Sequence, residues 1–296
     1  MYNQPFSITA QTFSDLPSYL KLDSTGNTWV ANEFGEREIP SYLSGATFDA
    51  QGLLWIADCA HGRIFRVTQT GEWDQIAHYE GWPSALQFHP DGRLIIADAR
   101  HGLLAMDVAT RAIAPLLTHH HNQRFKGLAD LAISSDGNIY FTDAGHTGLQ
   151  DATGSVYCLN ADGKLHTIAR NLAGPAGIVV SPDQSVIYVA AAADNAVYRI
   201  NVNAQLEAQR TSRYLSLSGG TGPRGLALDT ESNLYVAQRG MGATWVVDKR
   251  GEGKYRVESS RGDWVSHVAI STTNTQQIFM LEAQTGCVLE ATLPFY

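Results

Sequence analysis

Long hydrophobic runs are missing from this 296-residue chain. No stretch of about 18 apolar residues exists, which excludes a membrane-spanning helix. Cysteine is scarce. The three residues Cys59, Cys158 and Cys287 are scattered and never stand in a C-x-x-C spacing, so neither a disulfide framework nor a zinc site is expected. Basic residues are in deficit, 21 against 29 acidic, for a net charge of −8. That balance argues against nucleic acid as a partner, because such binding needs a Lys/Arg-rich surface. The start, Met1-Tyr2-Asn3-Gln4-Pro5, lacks a basic segment followed by an apolar one, so no leader and a cytoplasmic location are expected. What is present is ample core material, 44% apolar residues, together with 27 glycines. The length suits either two average domains or one large all-β domain.

The glycines belong to a repeat. An apolar strand, a turn with Asp or Asn and Gly, and a second apolar strand recur along the chain. The phrase reads Gly45-Ala-Thr-Phe-Asp-Ala-Gln-Gly52 before Leu53-Leu-Trp-Ile-Ala-Asp58, and Leu86-Gln-Phe-His-Pro-Asp-Gly92 before Arg93-Leu-Ile-Ile-Ala-Asp98. It returns as Leu131-Ala-Ile-Ser-Ser-Asp-Gly137 before Asn138-Ile-Tyr-Phe-Thr-Asp143, then from Ile178, Leu226 and Val268. A third strand follows in each unit, such as Gly62-Arg-Ile-Phe-Arg-Val67, and then a weaker fourth. A period of roughly 40 to 48 residues, with strands rich in Val, Ile, Tyr and Phe, is that of a four-stranded propeller blade. Six copies predict an all-β, six-bladed propeller: four-stranded antiparallel blades around a central channel, in one domain over 1–296. The last copy runs short after Leu293. Residues 1–43 are therefore expected to close the ring, through Phe6–Phe13 or Thr28–Glu33, and Glu36 and Arg37 could fold over the mouth as a lid.

With strands lettered A to D from the channel outward, residues just before each strand A ring one mouth of the channel. They are Ser44, Ser84, Ala129, Ala176, Arg224 and His267. The B–C turns add His61, His101, His146, Gln238 with Arg239, and Glu282, and the link before the third blade adds His119, His120, His121 and Lys126. Trp82 and Trp264 precede strands A and could line the same pocket. The aromatic residues Trp55, Tyr140, Phe141, Tyr188 and Tyr235 lie on B strands, where packing between blades is the better reading.

These residues carry a resemblance. From about Gly45 to Leu293 the chain resembles the senescence marker protein/gluconolactonase/luciferin-regenerating enzyme family of six-bladed propellers. Its strongest stretches are Asp49–Asp58, Phe125–Leu131, Ile139–Gly145, Thr147–Asp151, Ser218–Pro223 and Glu282–Gly286. The resemblance implies a small-molecule enzyme, typically a lactone hydrolase holding one divalent metal at the channel mouth. Its ligands come from E-G, N-G and D-G pairs before three A strands, and an N-D pair helps bind substrate. At those positions this chain has Ser44-Gly45, Ala176-Gly177, Arg224-Gly225 and Ala129-Asp130. Where relatives carry Asn near the sixth blade, it has Ser266-His267. A hard dication needs several anionic or carbonyl oxygens, and Arg does not ligate metals. No metal and no cofactor are therefore expected.

The expectation is a metal-independent lyase, isomerase, cyclase or hydrolase acting on a small anionic or carbonyl-containing substrate. Arg224 takes the electrostatic role of the metal, His267 moves a proton, and Asp130 or Glu282 orients it or acts as a second acid/base. Ser44, Ser84, Ala129, Ala176, His61, His101, His146, Arg239 and Lys126 are the candidate substrate contacts. Two alternatives stand beside it: a lactone hydrolase whose metal has moved onto His61, His101, His146 and His267, and a non-catalytic scaffold. Neither a membrane nor a nucleic acid is expected as a partner, and the sequence does not specify an oligomeric state.

Overall fold

Alternating apolar residues and Asp-Gly hairpin turns make each repeat an antiparallel meander. In the computed structural model, which describes residues 4–294, six such meanders form a six-bladed β-propeller. Met1, Tyr2 and Asn3, used in the leader expectation, lie outside the described residues. Blade one comprises Leu43–Phe48, Leu54–Asp58, Arg63–Val67 and Trp73–His78. Blades two to six begin with strands A at Pro83–Phe88, Leu128–Ile133, Pro175–Val180, Pro223–Leu228 and Val265–Ile270. Each strand A packs against the next one, and the sixth packs back on the first.

The first three blades in sequence take all four strands from their own repeat, and so does the fourth. The sixth does not. Its outermost strand is Gln11–Asp15, antiparallel to Cys287–Thr292. The preceding strand, Phe6–Thr9, adds in parallel to Gly253–Glu258 at the outside of blade five. The other candidate closing strand, Thr28–Glu33, lies instead in a helix, α1 (Thr28–Phe34), capped by the Asn27 side chain on the Val30 amide and ended at Gly35. Among the described residues, no helix is long and apolar enough to cross a membrane.

The core is divided accordingly. Six apolar clusters each mix residues of two neighbouring blades; one joins Trp55, Ile64, Leu94 and Leu104, another joins Tyr235, Val246, Val268 and Ile278. Trp55, Tyr140, Phe141, Tyr188 and Tyr235 all sit in these layers, as read from the sequence. A seventh cluster lies apart. It packs Trp29 and Val30 of α1 on Tyr42, Cys59, Ala60 and Ala283 at the channel mouth. A helix of seven residues is too short to persist alone, so this packing holds it.

Candidate active site

Every strand A carries an irregularity at the same place. The register with strand B shifts between Ser44 and Ala46, Pro83 and Ala85, Leu128 and Asp130, Pro175 and Ile178, Pro223 and Leu226, and Val265 and His267. A bulge frees a residue from pairing and re-aims its side chain. The residues so freed include Ser84, Ala129, Ala176, Arg224 and Ser266; with Ser44, which stays paired to Ala57 beside the freed Gly45, they line a cavity of about 190 Å3 at the mouth. The glycines beside them are fixed by packing between blades. A Cβ on Gly177 would lie 2.1 Å from the Arg224 carbonyl oxygen, and one on Gly225 would lie 2.3 Å from the His267 ring.

The floor of the cavity holds Asp130 and His267, which also line the cavity at the other end of the channel. Their side chains face one another from blades three and six, with His267 Nε2 4.0 Å from Asp130 Oδ1. The Asp130 carboxylate accepts the Leu131 amide at Oδ1 and the Ile178 amide at Oδ2. Burial nevertheless dominates and raises its pKa to about 7, against the pull of those two amides. Burial also lowers His267 to about 4, with the Val268 backbone opposing. The tautomer follows from a neighbour. The Ala46 amide donates to His267 Nδ1 at 3.3 Å, and an amide cannot accept in return. The neutral ring therefore carries its proton on Nε2, pointing toward Asp130. At this floor the neutral His267 ring presents its N–H toward Asp130, and of the two groups it is the Asp130 carboxyl that is raised to about 7.

Arg224 stands beside His267, and its buried Nε has no hydrogen-bond partner. Burial pulls its pKa down; Tyr42 and, more weakly, Glu33 oppose this, while Arg239 adds to it. Arg239 lies higher. Its guanidinium is 4.8 Å from the Trp264 ring centroid, 5.1 Å from Phe34 and 5.5 Å from Tyr42. Lys126 lines the rim and donates to Thr153 Oγ1. His146 also lines the rim, 76% exposed and 3.8 Å from Glu33 of α1. The Ser44 hydroxyl donates to the Ser84 carbonyl at 2.8 Å, tying blade one to blade two. The Ser266 hydroxyl likewise donates to the Leu43 carbonyl at 2.7 Å.

Three expected site residues stand elsewhere. Glu282 is fully buried behind the wall, and its oxygens accept the amides of Trp264, Gln284 and Thr285 and the Thr285 hydroxyl. A carboxylate so occupied holds a loop and does not reach the cavity. His61 bonds the Ile39 carbonyl at 3.1 Å, anchoring the segment after α1. His101 bonds the Glu80 carbonyl at 2.6 Å on the outside. His119 and His120 form a small hairpin with Gln123–Arg124, and His120 packs on Tyr157, away from the cavity lining. Trp82 lines the pocket, whereas Trp264 supports Arg239 and Phe34 from behind.

The cover is α1, which contributes Trp29, Asn32, Glu33 and Phe34 to the lining; Glu36 and Arg37 stand outside it, exposed. Tyr42 and Cys59 complete the wall. Burial pushes the Cys59 thiol well above its usual range, so it is a neutral wall group beside Ser84. Sequence reasoning missed α1, though its signals were present: Asn27 before, Gly35 after, and apolar residues on one side between them.

The donor set does not fit a divalent metal. Where a ligand cradle would need anionic oxygens, the ring offers an engaged serine hydroxyl, the methyls of Ala129 and Ala176, and a guanidinium. Among the described residues, no three His, Cys, Asp or Glu side chains converge as a metal-holding group. That geometry also disfavours relocation onto His61, His101, His146 and His267.

Comparison with known proteins matches this architecture. The profile described as "SMP-30/Gluconolactonase/LRE-like region" matches residues 44–284. The chain is 30% identical over 223 residues to the lactonase Drp35 of Staphylococcus aureus strain MRSA252, covering 71% of this chain and 67% of that protein. A gluconolactonase from Xanthomonas campestris superposes with a TM-score of 0.76 at 20% identity, over 90% of this chain and 93% of that one. The calcium-binding regucalcin of Agrobacterium tumefaciens gives 0.75 at 19% identity, over 98% and 96%.

Proposed function

The chain belongs to the SMP-30/gluconolactonase/LRE-like family, and from that premise we propose that it opens the ring of a small lactone, or an equivalent cyclic carbonyl compound, without a metal. One observation carries the reading. A carboxyl group raised to about 7 faces an imidazole N–H across the channel, beside a guanidinium that forms no ion pair among the described residues. The lactonase relatives favour hydrolysis as the reaction class. The roles we give to the residues follow from their chemistry.

Asp130, as carboxylate, takes a proton from a water molecule while the water oxygen bonds to the carbonyl carbon. The carbonyl oxygen gains the negative charge. His267 Nε2–H and the Arg224 guanidinium stabilise it, the latter in place of a Lewis acid. Collapse of this adduct breaks the ring C–O bond, and protonated Asp130 returns its proton to the departing alkoxide oxygen. Lactone and water become a hydroxy acid, and Asp130 ends as it began. A neutral histidine donating to a carbonyl oxygen is a known electrophilic arrangement.

The test measures hydrolysis of a panel of small lactones before and after exhaustive treatment with EDTA and 1,10-phenanthroline. Turnover should survive chelation and fall by about a hundredfold or more in Asp130→Asn and Arg224→Met, both verified as folded. Loss of activity on chelation with recovery on adding back a divalent ion, or unimpaired turnover in both variants, would overturn the proposal.

A further inference from the structure

Two guanidinium groups share one small cavity, and among the described residues neither forms an ion pair; the one carboxylate that acts on Arg224 from a distance, Glu33, lines the same cavity. Arg93, Arg213 and Arg250 on the outer surface all have carboxylate partners at 3.3 Å or closer. Arg224 and Arg239 have none among the described residues, and the Nε of each is buried without a hydrogen-bond partner. The three rings around Arg239 attract its charge but accept none of its in-plane N–H groups. The carboxylates nearest at hand are otherwise placed: Glu33 leans toward His146, and Asp130 lies on the floor, bound to two amides. Two such cations in one cavity repel, and Arg239 accordingly disfavours the charge on Arg224. An anion that bonds both relieves this.

The cations also stand at different depths. Arg224 adjoins the floor, where Gly225 presses on the His267 ring. Arg239 stands under the cover, against Phe34 of α1. We propose that the substrate carries a carboxylate in addition to its reacting carbonyl, and that Arg239 is the residue that selects it. This rests on the hydrolytic reading above and names its substrate class: a lactone with a short acidic side chain. The carboxylate meets Arg239 through paired N–H bonds, and the ring carbonyl meets His267 and Arg224. A cavity of about 190 Å3 is less than a drug-sized ligand fills, which suits a small ring compound. Hydrolysis converts the carbonyl into a second carboxylate beside Arg224, so a dicarboxylate mimics the product.

The test has a binding arm and a turnover arm. Succinate and malate, titrated against the full chain, should raise its melting temperature and bind at least about tenfold more tightly than butyrate, with the advantage lost in Arg239→Met and partly kept in Arg239→Lys. In turnover, 5-oxotetrahydrofuran-2-carboxylate should exceed γ-butyrolactone in kcat/KM, and Arg239→Met should cut that ratio by about tenfold or more. Equal use of the two lactones by the wild-type protein overturns the substrate class while leaving the hydrolytic reading intact. Arg239-dependent dicarboxylate binding with no turnover of either lactone supports the anion site and overturns the hydrolysis. Dicarboxylates that bind no better than butyrate overturn the anion site.

Discussion

Asp130 and His267 hold their protons in opposite ways, and the two preferences act oppositely on stability. Asp130 binds its proton more tightly folded than unfolded, so between its usual 3.8 and about 7 the folded state carries the extra proton. Stability from this group falls as pH rises through that window. His267 binds its proton less tightly when folded, so between about 4 and its usual 6.5 the unfolded state carries the extra proton. Stability from this group rises with pH there. In the wild-type protein the two slopes offset one another. Asp130→Asn should leave a stability that climbs from pH 4 to 6.5, and His267→Gln one that declines from pH 4 to 7. Each term is worth at most roughly 3–5 kcal/mol, at about 1.4 kcal/mol per pKa unit. Melting temperatures across that range check this, and parallel curves for the two variants would count against it. In turnover, kcat/KM should rise as Asp130 loses its proton near pH 7, with no further break near 6.5 from His267. The two residues were legible in the sequence, His267 from its place before a strand A and Asp130 from the resemblance to a family pair. Their roles were not, since the tautomer is set by the amide of Ala46, at the far end of the chain.

Strand ends explain why Glu282 looked catalytic. In four blades an acid closes strand B and accepts the amide of a residue next to the strand-A start. Asp58 takes Tyr42, Asp98 takes Trp82, Asp143 takes Gly127, and Glu282 takes Trp264. In blade five Gln238 fills the place and donates to the Ser218 and Gly219 carbonyls instead. The acids are thus a recurring brace of the fold, legible as a repeat of Asp at strand-B ends. Read singly, the sixth looked like a free carboxylate at the mouth, because its partners are backbone amides that carry no sequence signature. Glu282→Ala strands four donors. It should cost about 3 kcal/mol or more in urea unfolding while leaving kcat/KM per folded molecule near the wild-type value. Lost turnover with unchanged stability would return Glu282 to the catalytic set.

A propeller removes its long edges only if the last blade finds a partner for its outer strand, and here the chain's beginning serves. The six repeats were readable from their hairpin turns, but the closing strand has no repeat of its own to mark it. Gln11–Asp15 is mostly polar on its outer side; Phe13, packed edge-on against Phe279, the neighbouring buried Ala10 and Leu16, and the Ser14 hydroxyl, which donates to the Gly71 carbonyl and accepts from the Trp73 indole, tie it down. The two N-terminal strands therefore do different work. Phe6–Thr9 extends a blade already complete with four strands, whereas Gln11–Asp15 covers the Cys287–Thr292 edge and bridges the first and last repeats. Deleting residues 1–9 should lower the melting temperature modestly and keep a single cooperative transition. Deleting residues 1–15 exposes the apolar Val288–Leu289 segment as an unpaired edge, and should bring a larger loss with aggregation on heating. Calorimetry with light scattering distinguishes the two. Equal effects would place the closure in the side-chain contacts between blades one and six, in the cluster that joins Leu43, Ile56, Leu281 and Val288, instead of in the strand itself.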